Sequence, residues 1–227
     1  MALVGKHKAV VLVSGGMDSC LTAAYAFKKY ELAFLHVNYG QRTQRRELKA
    51  FNDIAKYYGV KDKLVVDVSH FKQIGGSSLT DKNISVTKPN LKSKKIPTSY
   101  VPFRNANILA IAVSWAEVIG ARAIFIGAVE EDSSGYPDCR KSFFNAYNEV
   151  IKFGTKNSSN IKIETPIINY TKKQIVQKAV RMNVPLHLTW SCYKSGTKAC
   201  GDCDSCALRL RGFRDAGYQD PIIYKKL

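Results

Sequence analysis

Short apolar runs alternate along the chain with longer stretches in which apolar residues recur every three or four positions. The runs predict β-strands, and the recurring pattern predicts helices with one buried face. Strands are predicted at Ala9–Val13, Leu32–Asn38, Leu64–Val68, Ala123–Ala128 and Ile161–Glu164. Helices are predicted at Asp18–Lys29, Thr43–Tyr58, Asn105–Val118, Ser142–Phe153 and Thr171–Met182, with threonine N-caps on the second and the last. This alternation is typical of an α/β protein with an open parallel sheet and crossover helices.

Two parts of the chain depart from this alternation. Residues 69–101 contain two adjacent glycines, two prolines and many lysines. A loop of that length inside a compact domain is typical of a lid or a binding segment. From Trp190 onward the chain is rich in cysteine. We therefore predict an α/β domain over residues 1–189 and a small C-terminal module over residues 190–227.

Composition narrows the class of protein. With 227 residues and 45% apolar content, the chain is long enough for one large domain and a modest appendage. The sequence has no apolar stretch long enough to cross a bilayer and no apolar leader, so we expect neither a membrane span nor a signal peptide. Six cysteines with four of them clustered do not resemble a secreted disulfide scaffold. A reducing cytoplasm fits this cysteine usage best.

The charge balance is strongly basic, with a formal net charge of +17. Such a charge favours a polyanionic partner, and RNA above all. The basic clusters are Arg42, Arg45 and Arg46, and Lys88, Lys92, Lys94 and Lys95. Neither cluster contains the interleaved aromatic residues that a single-strand binding surface uses. We therefore favour a basic site for ATP and an anionic substrate over direct action on nucleic acid.

The first predicted strand leads directly into Ser14-Gly15-Gly16-Met17-Asp18-Ser19, and a helix follows. Adjacent glycines let the backbone turn tightly and present successive N–H groups to an anion at the helix N-terminus. Hydroxyls of Ser14 and Ser19 add donors, whereas the carboxylate of Asp18 suits a Mg²⁺ ion that bridges to phosphate oxygens. The segment lacks the lysine of a Walker loop and the glycine spacing of a dinucleotide fingerprint. It predicts a pyrophosphate-binding loop, and a plain serine–glycine turn is the alternative.

A cysteine cluster lies near the C-terminus, at Cys192, Cys200, Cys203 and Cys206. Cys-x2-Cys turns bring thiolates to the separation that a tetrahedral Zn²⁺ ion requires. Four protein ligands leave no open coordination position, so the predicted zinc is structural and helps a segment with few apolar residues to fold. An iron–sulfur cluster and a redox-active thiol pair are the alternatives.

Three stretches follow predicted strands or precede an apolar helix, where an open parallel sheet binds ligands. They are His36–Gln41, Val101–Asn105 and Gly127–Arg140. In the first stretch, His36 and Asn38 are expected to contact the nucleotide, because the stretch lies close to the phosphate loop. Lys172 lies in the first turn of a predicted helix, where a cation opposes the helix dipole. That placement indicates a phosphate partner, and an exposed surface lysine is the alternative.

The third stretch is acidic although the protein is basic. A carboxylate suits the hydrogen-bonding edge of a guanine-type base, a tyrosine ring stacks on a purine, and an arginine pairs with a substrate carboxylate. The candidate substrate-binding residues are Glu130, Asp132, Tyr136, Asp138 and Arg140. A solvated acidic turn is the alternative, and the spacing alone favours it.

Several motifs together resemble the 7-cyano-7-deazaguanine synthase family, the queuosine-pathway branch of the PP-loop ATP pyrophosphatases. They are the phosphate loop Ser14–Ser19, Val101-Pro102-Phe103-Arg104-Asn105, Ser134-Gly135-Tyr136-Pro137-Asp138-Cys139-Arg140, and the four cysteines with Leu208-Arg209 after them. The resemblance covers nearly the whole chain. The first motif is common to the superfamily, and the last two together are specific to the family. Phe103 stands where the family usually has glycine or arginine.

The resemblance implies an adenine nucleotide alpha hydrolase-like fold and an ATP-dependent carbon–nitrogen ligase. Its substrates would be 7-carboxy-7-deazaguanine, ATP and ammonia, and its product the corresponding nitrile. Asp18 would hold Mg²⁺ and Arg104 would neutralise phosphate charge. No glutaminase domain fits within 227 residues, so ammonia would have to enter as a free molecule.

Other functions stay open at this point. A tRNA-thiolating PP-loop enzyme would explain the basic charge, although such enzymes usually carry an RNA-binding domain or a catalytic cysteine pair, and neither is evident in the sequence. A relative acting on another carboxyl group and a non-catalytic nucleotide-binding module are further alternatives. The sequence does not fix the oligomeric state, and a homodimer is one candidate.

Overall fold

A computed structural model describes residues 6–86, 96–130 and 135–225. Within these ranges the predicted open parallel sheet is confirmed. Its five strands are β1 (Lys8–Leu12), β2 (Glu31–Asn38), β3 (Asp62–Asp67), β4 (Ala123–Phe125) and β5 (Lys162–Glu164). They lie in the order β3-β2-β1-β4-β5, and each neighbouring pair is parallel. The sheet therefore has the architecture that the alternating pattern predicts.

Helices connect the strands and continue into the C-terminal segment. They are α1 (Met17–Phe27), α2 (Gln44–Tyr57), α3 (Phe71–Ile74), α4 (Arg104–Ile119), α5 (Lys141–Gly154), α6 (Lys172–Arg181) and α7 (Asp204–Ala216). Short 3-10 turns lie at Pro137–Cys139 and Leu186–Leu188. In the part of the chain that the structure describes, no helix combines the length and the apolar character needed to cross a bilayer.

Both faces of the sheet are covered, which explains why its central strands are apolar at successive positions. Along β1, Ala9 and Val11 face a core shared with α1, α2, α6 and α7. The intervening residues Val10 and Leu12 face a second core, shared with α4 and α5. The strand at the centre of the sheet is thus fixed from both sides, and so is the loop that follows it.

The order of the strands places a binding site at a defined point. From β1 the chain runs outward through β2 to β3, and it then returns to place β4 against the other edge of β1. Val11 pairs with Phe34 on one side and with Phe125 on the other. The carboxyl ends of β1 and β4 therefore meet where the strand order reverses, which is the usual ligand position in open α/β sheets.

The structure corrects one predicted strand boundary and adds one helix. The fourth strand was expected to reach Ala128, but β4 ends at Phe125. Its partner β5 is only three residues long, and after Phe125 the backbone approaches the start of α1 at Gly127. The helix α7 was not predicted at all, because its buried positions include the polar Arg209 and the small Gly212, which hide the apolar period.

The two predicted threonine caps differ in detail. Thr171 forms a complete capping box with Gln174 at the start of α6, as expected of a threonine N-cap. Thr43 also precedes its helix, but its hydroxyl donates to Glu47 Oε1 at 2.6 Å and does not accept from the backbone. Thr43 is therefore the N-cap residue of α2 as predicted, but its hydroxyl bonds the Glu47 side chain in place of a backbone N–H.

The C-terminal segment packs directly on the phosphate loop. The backbone N–H of Trp190 donates to the carbonyl of Gly15 at 2.8 Å. Farther on, Arg209 forms a buried bidentate ion pair with Asp220, at 2.7 and 2.9 Å. The division of the chain into residues 1–189 and 190–227 stays a prediction.

Candidate active site and metal centre

A cavity of about 300 Å³ lies at the carboxyl ends of β1, β2 and β4. The phosphate loop, Lys172 and the start of α4 all contribute to its lining. Residues of the C-terminal segment, among them Trp190 and Leu208, complete its lining. The cavity therefore occupies the position at which the strand order reverses.

The phosphate loop is ordered by its own hydroxyls. Ser14 Oγ accepts from the Gly16 N–H at 3.3 Å, and Ser19 Oγ donates to the Gly16 carbonyl at 3.0 Å. The two hydroxyl oxygens lie 3.3 Å apart. Gly16 is the N-cap residue of α1, and within residues 6–86 no side-chain hydrogen bond caps this helix start. The first N–H groups of α1 can therefore face an anion in the cavity.

Two glycines allow other elements to approach this loop closely. Gly15 has a φ of +89°, and a Cβ there would lie 2.8 Å from the carbonyl oxygen of Glu47 in α2. Gly127 follows β4, and a Cβ there would lie 2.9 Å from both Asp18 C and Ser19 N. Gly127 begins the third stretch in which the sequence predicts ligand binding, although it was not singled out there as a site residue. The loop is thus held between α2 and the segment after β4.

Replacing Gly127 with alanine is expected to lower kcat/KM for ATP by about a hundredfold, since displacing a binding backbone by an ångström has effects of that size. The added methyl group would push the backbone of Asp18 and Ser19 out of place. Gly154→Ala is the matched control, because nothing lies within 4 Å of its added Cβ. Pyrophosphate release measures both variants, and equal rates would show that the close approach is unimportant.

Asp18 and Lys172 form an ion pair inside the cavity. Lys172 Nζ lies 2.6 Å from Asp18 Oδ2, and the side chains are 11% and 29% exposed. The other oxygen, Asp18 Oδ1, is buried without a hydrogen-bond partner among the described residues. A buried unpaired oxygen costs about 1–3 kcal/mol, and carboxylate oxygens are preferred ligands of Mg²⁺. The residues present therefore fit a divalent cation at this point.

The position of Lys172 depends on a glycine of α7. A Cβ on Gly212 would lie 2.9 Å from Lys172 Cβ and 3.0 Å from its carbonyl oxygen. Glycine inside a helix costs about 1 kcal/mol relative to alanine, so its presence there needs a reason in the packing. Here the reason is the contact between α6 and α7. An isolated glycine in an unpredicted helix gave no usable signal in the sequence.

Arg104 also lines the cavity and is the first residue of α4. Its Nη1 donates to the hydroxyl of Tyr39 at 3.1 Å, and its guanidinium carbon lies 5.0 Å from the Tyr39 ring centre. Burial raises the pKa of Tyr39 to about 12, so its phenol stays protonated at neutral pH. The residue before Arg104 is Phe103, with a φ of 55° in the left-handed region. Glycine, one of the two residues usual in the family at this position, tolerates that conformation without strain, whereas phenylalanine does not.

His36 and Asn38 support the loop from beneath. His36 is buried, with Nδ1 2.8 Å from the carbonyl oxygen of Val13 and Nε2 3.2 Å from Asn38 Oδ1. Its ring packs 5.1 Å from that of Phe51. Among the described residues, neither side chain belongs to the cavity lining. Their predicted contact with the nucleotide stays a prediction.

Tyr136 is the candidate substrate-binding residue that lines the cavity. Its hydroxyl lies 2.9 Å from Ser99 Oγ, and its ring is 5.4 Å from that of Tyr100. The ring is therefore fixed on the cavity wall. Asp132 lies outside the described residues.

The remaining members of the acidic stretch contact helix starts. Asp138 is buried, and its Oδ2 accepts from the backbone N–H of Asn105 at 2.9 Å, in the first turn of α4. Burial raises the pKa of this carboxyl. Glu130 Oε2 accepts from the Lys141 N–H at 3.0 Å, and Arg140 is exposed immediately before α5. Within the described ranges, Glu130, Asp138 and Arg140 are outside the cavity lining, and their role in substrate binding stays a prediction.

Part of the basic charge has a structural use. Arg42 donates to the carbonyls of Ser78 and Ile84 at 2.8 and 2.9 Å. The guanidinium of Arg46 lies 4.5 Å from the ring centre of Trp190. Both arginines form contacts within the protein, so they are weaker evidence for a polyanion-binding surface than the sequence alone suggested. The second basic cluster, Lys88, Lys92, Lys94 and Lys95, lies outside the described residues.

The four clustered cysteines converge on one point. Their sulfur atoms all lie within 4.8 Å of one another, with Cys200 and Cys206 at 3.8 Å. A tetrahedron with metal–sulfur bonds of about 2.3 Å has sulfur–sulfur edges of about 3.8 Å. Cys192 Sγ also accepts backbone N–H groups, including that of Cys200 at 3.3 Å. The cluster therefore fits a tetrahedral metal ion with four thiolate ligands.

The sheet order and the loop at its switch point define a PP-loop nucleotide-binding protein. The NMN synthetase of Francisella tularensis shares this fold, with a TM-score of 0.50 and 12% identity over 95% of this chain and 79% of its own. A family model described as queuosine biosynthesis protein QueC matches residues 8–217. The chain belongs to that family.

Relatives match over almost the whole chain. The 7-cyano-7-deazaguanine synthase of Chloroherpeton thalassium is 60% identical over 219 residues, which is 96% of this chain and 97% of its own. The synthase of Chlorobium phaeobacteroides strain DSM 266 is 58% identical over 220 residues, with the same shares of the two chains. The predicted family resemblance is therefore confirmed.

Proposed function

We propose that this protein is an ATP-dependent carbon–nitrogen ligase that converts 7-carboxy-7-deazaguanine and ammonia into 7-cyano-7-deazaguanine, a queuosine precursor. The observation that carries the proposal is the 60% identity to a synthase of that name across nearly the whole chain. The intact phosphate loop and the Asp18–Lys172 pair in the cavity support it, because they supply what an ATP-cleaving site needs.

The reaction needs two activations because both oxygens of the carboxylate must leave one carbon. A carboxylate oxygen attacks the α-phosphorus of ATP and expels pyrophosphate. Ammonia then attacks the acyl carbon, AMP leaves, and a proton is lost to give the amide. The amide oxygen attacks a second ATP in the same way. Loss of AMP and of both N–H protons of the amide leaves the nitrile.

The phosphate loop is suited to both activations, since the attacked atom is the same in each. Backbone N–H groups at Gly15 and Gly16, and the hydroxyls of Ser14 and Ser19, would hold the departing pyrophosphate. Arg104 and Lys172, which both line the cavity, would neutralise phosphate charge. A Mg²⁺ ion held at Asp18 would supply further charge neutralisation when bound.

The substrate would lie beside Tyr136, whose fixed ring offers a stacking surface for the deazaguanine. The base edge would be read by a carboxylate from Glu130, Asp132 or Asp138, and Arg140 would pair with the substrate carboxylate. This assignment rests on the position of the acidic stretch after β4, where Gly127, Ala128 and Val129 line the cavity.

The four-cysteine site would hold structural zinc, supported by its closed set of thiolate ligands. Its unbridged thiols favour a reducing cytoplasm.

A homodimer is proposed because Val118, Val150 and Phe153 expose large apolar side chains on α4 and α5. Ammonia would be taken from solution.

The reaction is tested by incubating purified protein with ATP, ammonium and 7-carboxy-7-deazaguanine, followed by mass spectrometry. We expect AMP and pyrophosphate and no ADP, with two AMP for each nitrile formed. Supplying the corresponding amide should reduce the count to one AMP, because the first activation is bypassed.

Omitting ammonium is the control for the first step, since no amide or nitrile should then form. A second arm replaces the deazaguanine with unmodified tRNA. If tRNA stimulates AMP release and 7-carboxy-7-deazaguanine does not, the protein is a tRNA-modifying enzyme and the basic charge was the better guide.

A further inference from the structure

Lys172 covers the carboxylate that is best placed to hold a divalent cation. Its ammonium nitrogen lies 2.6 Å from Asp18 Oδ2, the distance of a direct ion pair. The second oxygen, Oδ1, is buried and has no hydrogen-bond partner within the described ranges. One carboxylate oxygen is thus paired with the Lys172 ammonium, and the other could accept a metal ion.

The position of Lys172 in its helix weakens its hold on this site. It is the first residue of α6, where the aligned peptide dipoles place partial positive charge. An ammonium is electrostatically unfavourable there unless an anion compensates it. Asp18 supplies one negative charge, whereas a triphosphate entering the cavity would supply several. The phosphate groups of a bound nucleotide would therefore compete with Asp18 for the Lys172 ammonium.

The backbone of Lys172 has little freedom to move away from the cavity. Gly212 of α7 approaches it so closely that an added Cβ would lie 2.9 Å from Lys172 Cβ and 3.1 Å from its carbonyl carbon. The Lys172 side chain is only 11% exposed. A change of partner would thus be made by the flexible end of the side chain, over the short distance between Asp18 and the phosphate loop.

We propose that Lys172 makes the binding of a divalent cation at Asp18 depend on bound nucleotide. In the absence of nucleotide, its ammonium blocks Asp18 against a free divalent cation. When phosphate groups enter, the ammonium transfers to a phosphate oxygen and the carboxylate becomes available. The site then takes the metal only together with nucleotide. This inference rests on the proposed use of ATP, but not on the identity of the acceptor substrate.

Removal of the lysine charge tests the block directly, with Mn²⁺ alone as the probe and electron paramagnetic resonance as the readout. Lys172→Met keeps an unbranched side chain, shorter by the terminal nitrogen, and deletes its charge. We expect its affinity for Mn²⁺ without nucleotide to exceed that of the unaltered protein by at least about tenfold, since a nearby like charge is removed. Lys172→Arg should keep the block, because it keeps the charge.

Lys173→Met is the matched control, since Lys173 is the next residue of α6 and is exposed. It should bind Mn²⁺ as weakly as the unaltered protein. Adding Asp18→Asn to Lys172→Met should abolish the gained site. Equal Mn²⁺ binding by Lys172→Met and Lys173→Met would overturn the proposal, and so would a gained site that survives Asp18→Asn.

A second measurement needs no variant and so does not depend on how Lys172→Met folds. In the unaltered protein, Mn²⁺ should give a bound signal with ATP present and none without it at the same free Mn²⁺ concentration. Tight binding of Mn²⁺ alone would overturn the block. No outcome here depends on 7-carboxy-7-deazaguanine, so a failed turnover assay and a failed metal assay are separate results.

Discussion

Asp18→Asn is expected to reduce turnover by on the order of a thousandfold, because the loss combines a metal ligand with a charge that acts in the transition state. The substitution keeps the size of the side chain, so the fold should be retained. The amide is neutral and a poorer ligand, and it no longer compensates the ammonium of Lys172 at 2.6 Å. Pyrophosphate release at saturating substrates measures the loss, and circular dichroism checks the fold.

Asp62→Asn is the matched control for this experiment. Asp62 also forms an ion pair with a lysine, Lys8, at 2.6 Å, but both side chains are at least one-third exposed. The pair joins β3 to β1 away from the cavity lining, and exposed pairs of this kind contribute about 1 kcal/mol or less. We expect full turnover from Asp62→Asn. Near-normal turnover from Asp18→Asn would exclude a metal-holding role for that carboxylate.

Loss of the thiolate cluster is expected to have the second large effect, and it should act on folding. Cys203 is the N-cap of α7, and Cys206 lies in its first turn. Structural zinc sites of this type contribute about 10 kcal/mol or more to the folded state. Cys203→Ser should therefore unfold the C-terminal segment and lower solubility, and turnover should fall because Trp190 and Leu208 line the cavity.

Metal analysis of the unaltered protein should show about one zinc per chain and no visible iron–sulfur absorbance. Cys20→Ala is the control, since Cys20 is a buried thiol of α1 outside the cluster. That variant should keep its metal. A protein that retains full stability and an ordered α7 after the metal is stripped would rule out a structural site.

The sequence predicted the sheet and the phosphate loop because both depend on local patterns. Buried parallel strands are apolar at successive positions, and a loop between strand and helix shows itself by glycines and hydroxyls. The pairing of Asp18 with Lys172 was beyond such reasoning, since these residues lie far apart in the chain. Each was proposed for the site, but their direct contact required the three-dimensional arrangement of α1 and α6.

Burial of polar residues explains two further features that the sequence did not show, namely the helix α7 and the hydrogen bonds of His36. Arg209 is 1% exposed and bound to Asp220, so a helix with its charged residue turned inward did not show an apolar face. His36 was expected to contact the nucleotide because its stretch lies close to the phosphate loop; that contact stays a prediction, and the structure adds a hydrogen bond between its ring and the Val13 carbonyl. In both cases the hydrogen-bond partners of a polar residue, which the sequence does not show, decide where its side chain lies.

The contact between Gly212 and Lys172 has a consequence for anyone who would exchange the C-terminal segment between related enzymes. One end of α7 carries Cys206 of the cysteine cluster, and about 9 Å along its axis, six residues later, the helix touches the first residue of α6. A transplanted segment with any side chain at position 212 would push Lys172 off its carboxylate. Chimeras cut at residue 190 whose donor carries a side chain at position 212 should therefore lose activity despite a correct metal content, and those that transfer the donor's α6 together with its α7 should keep it.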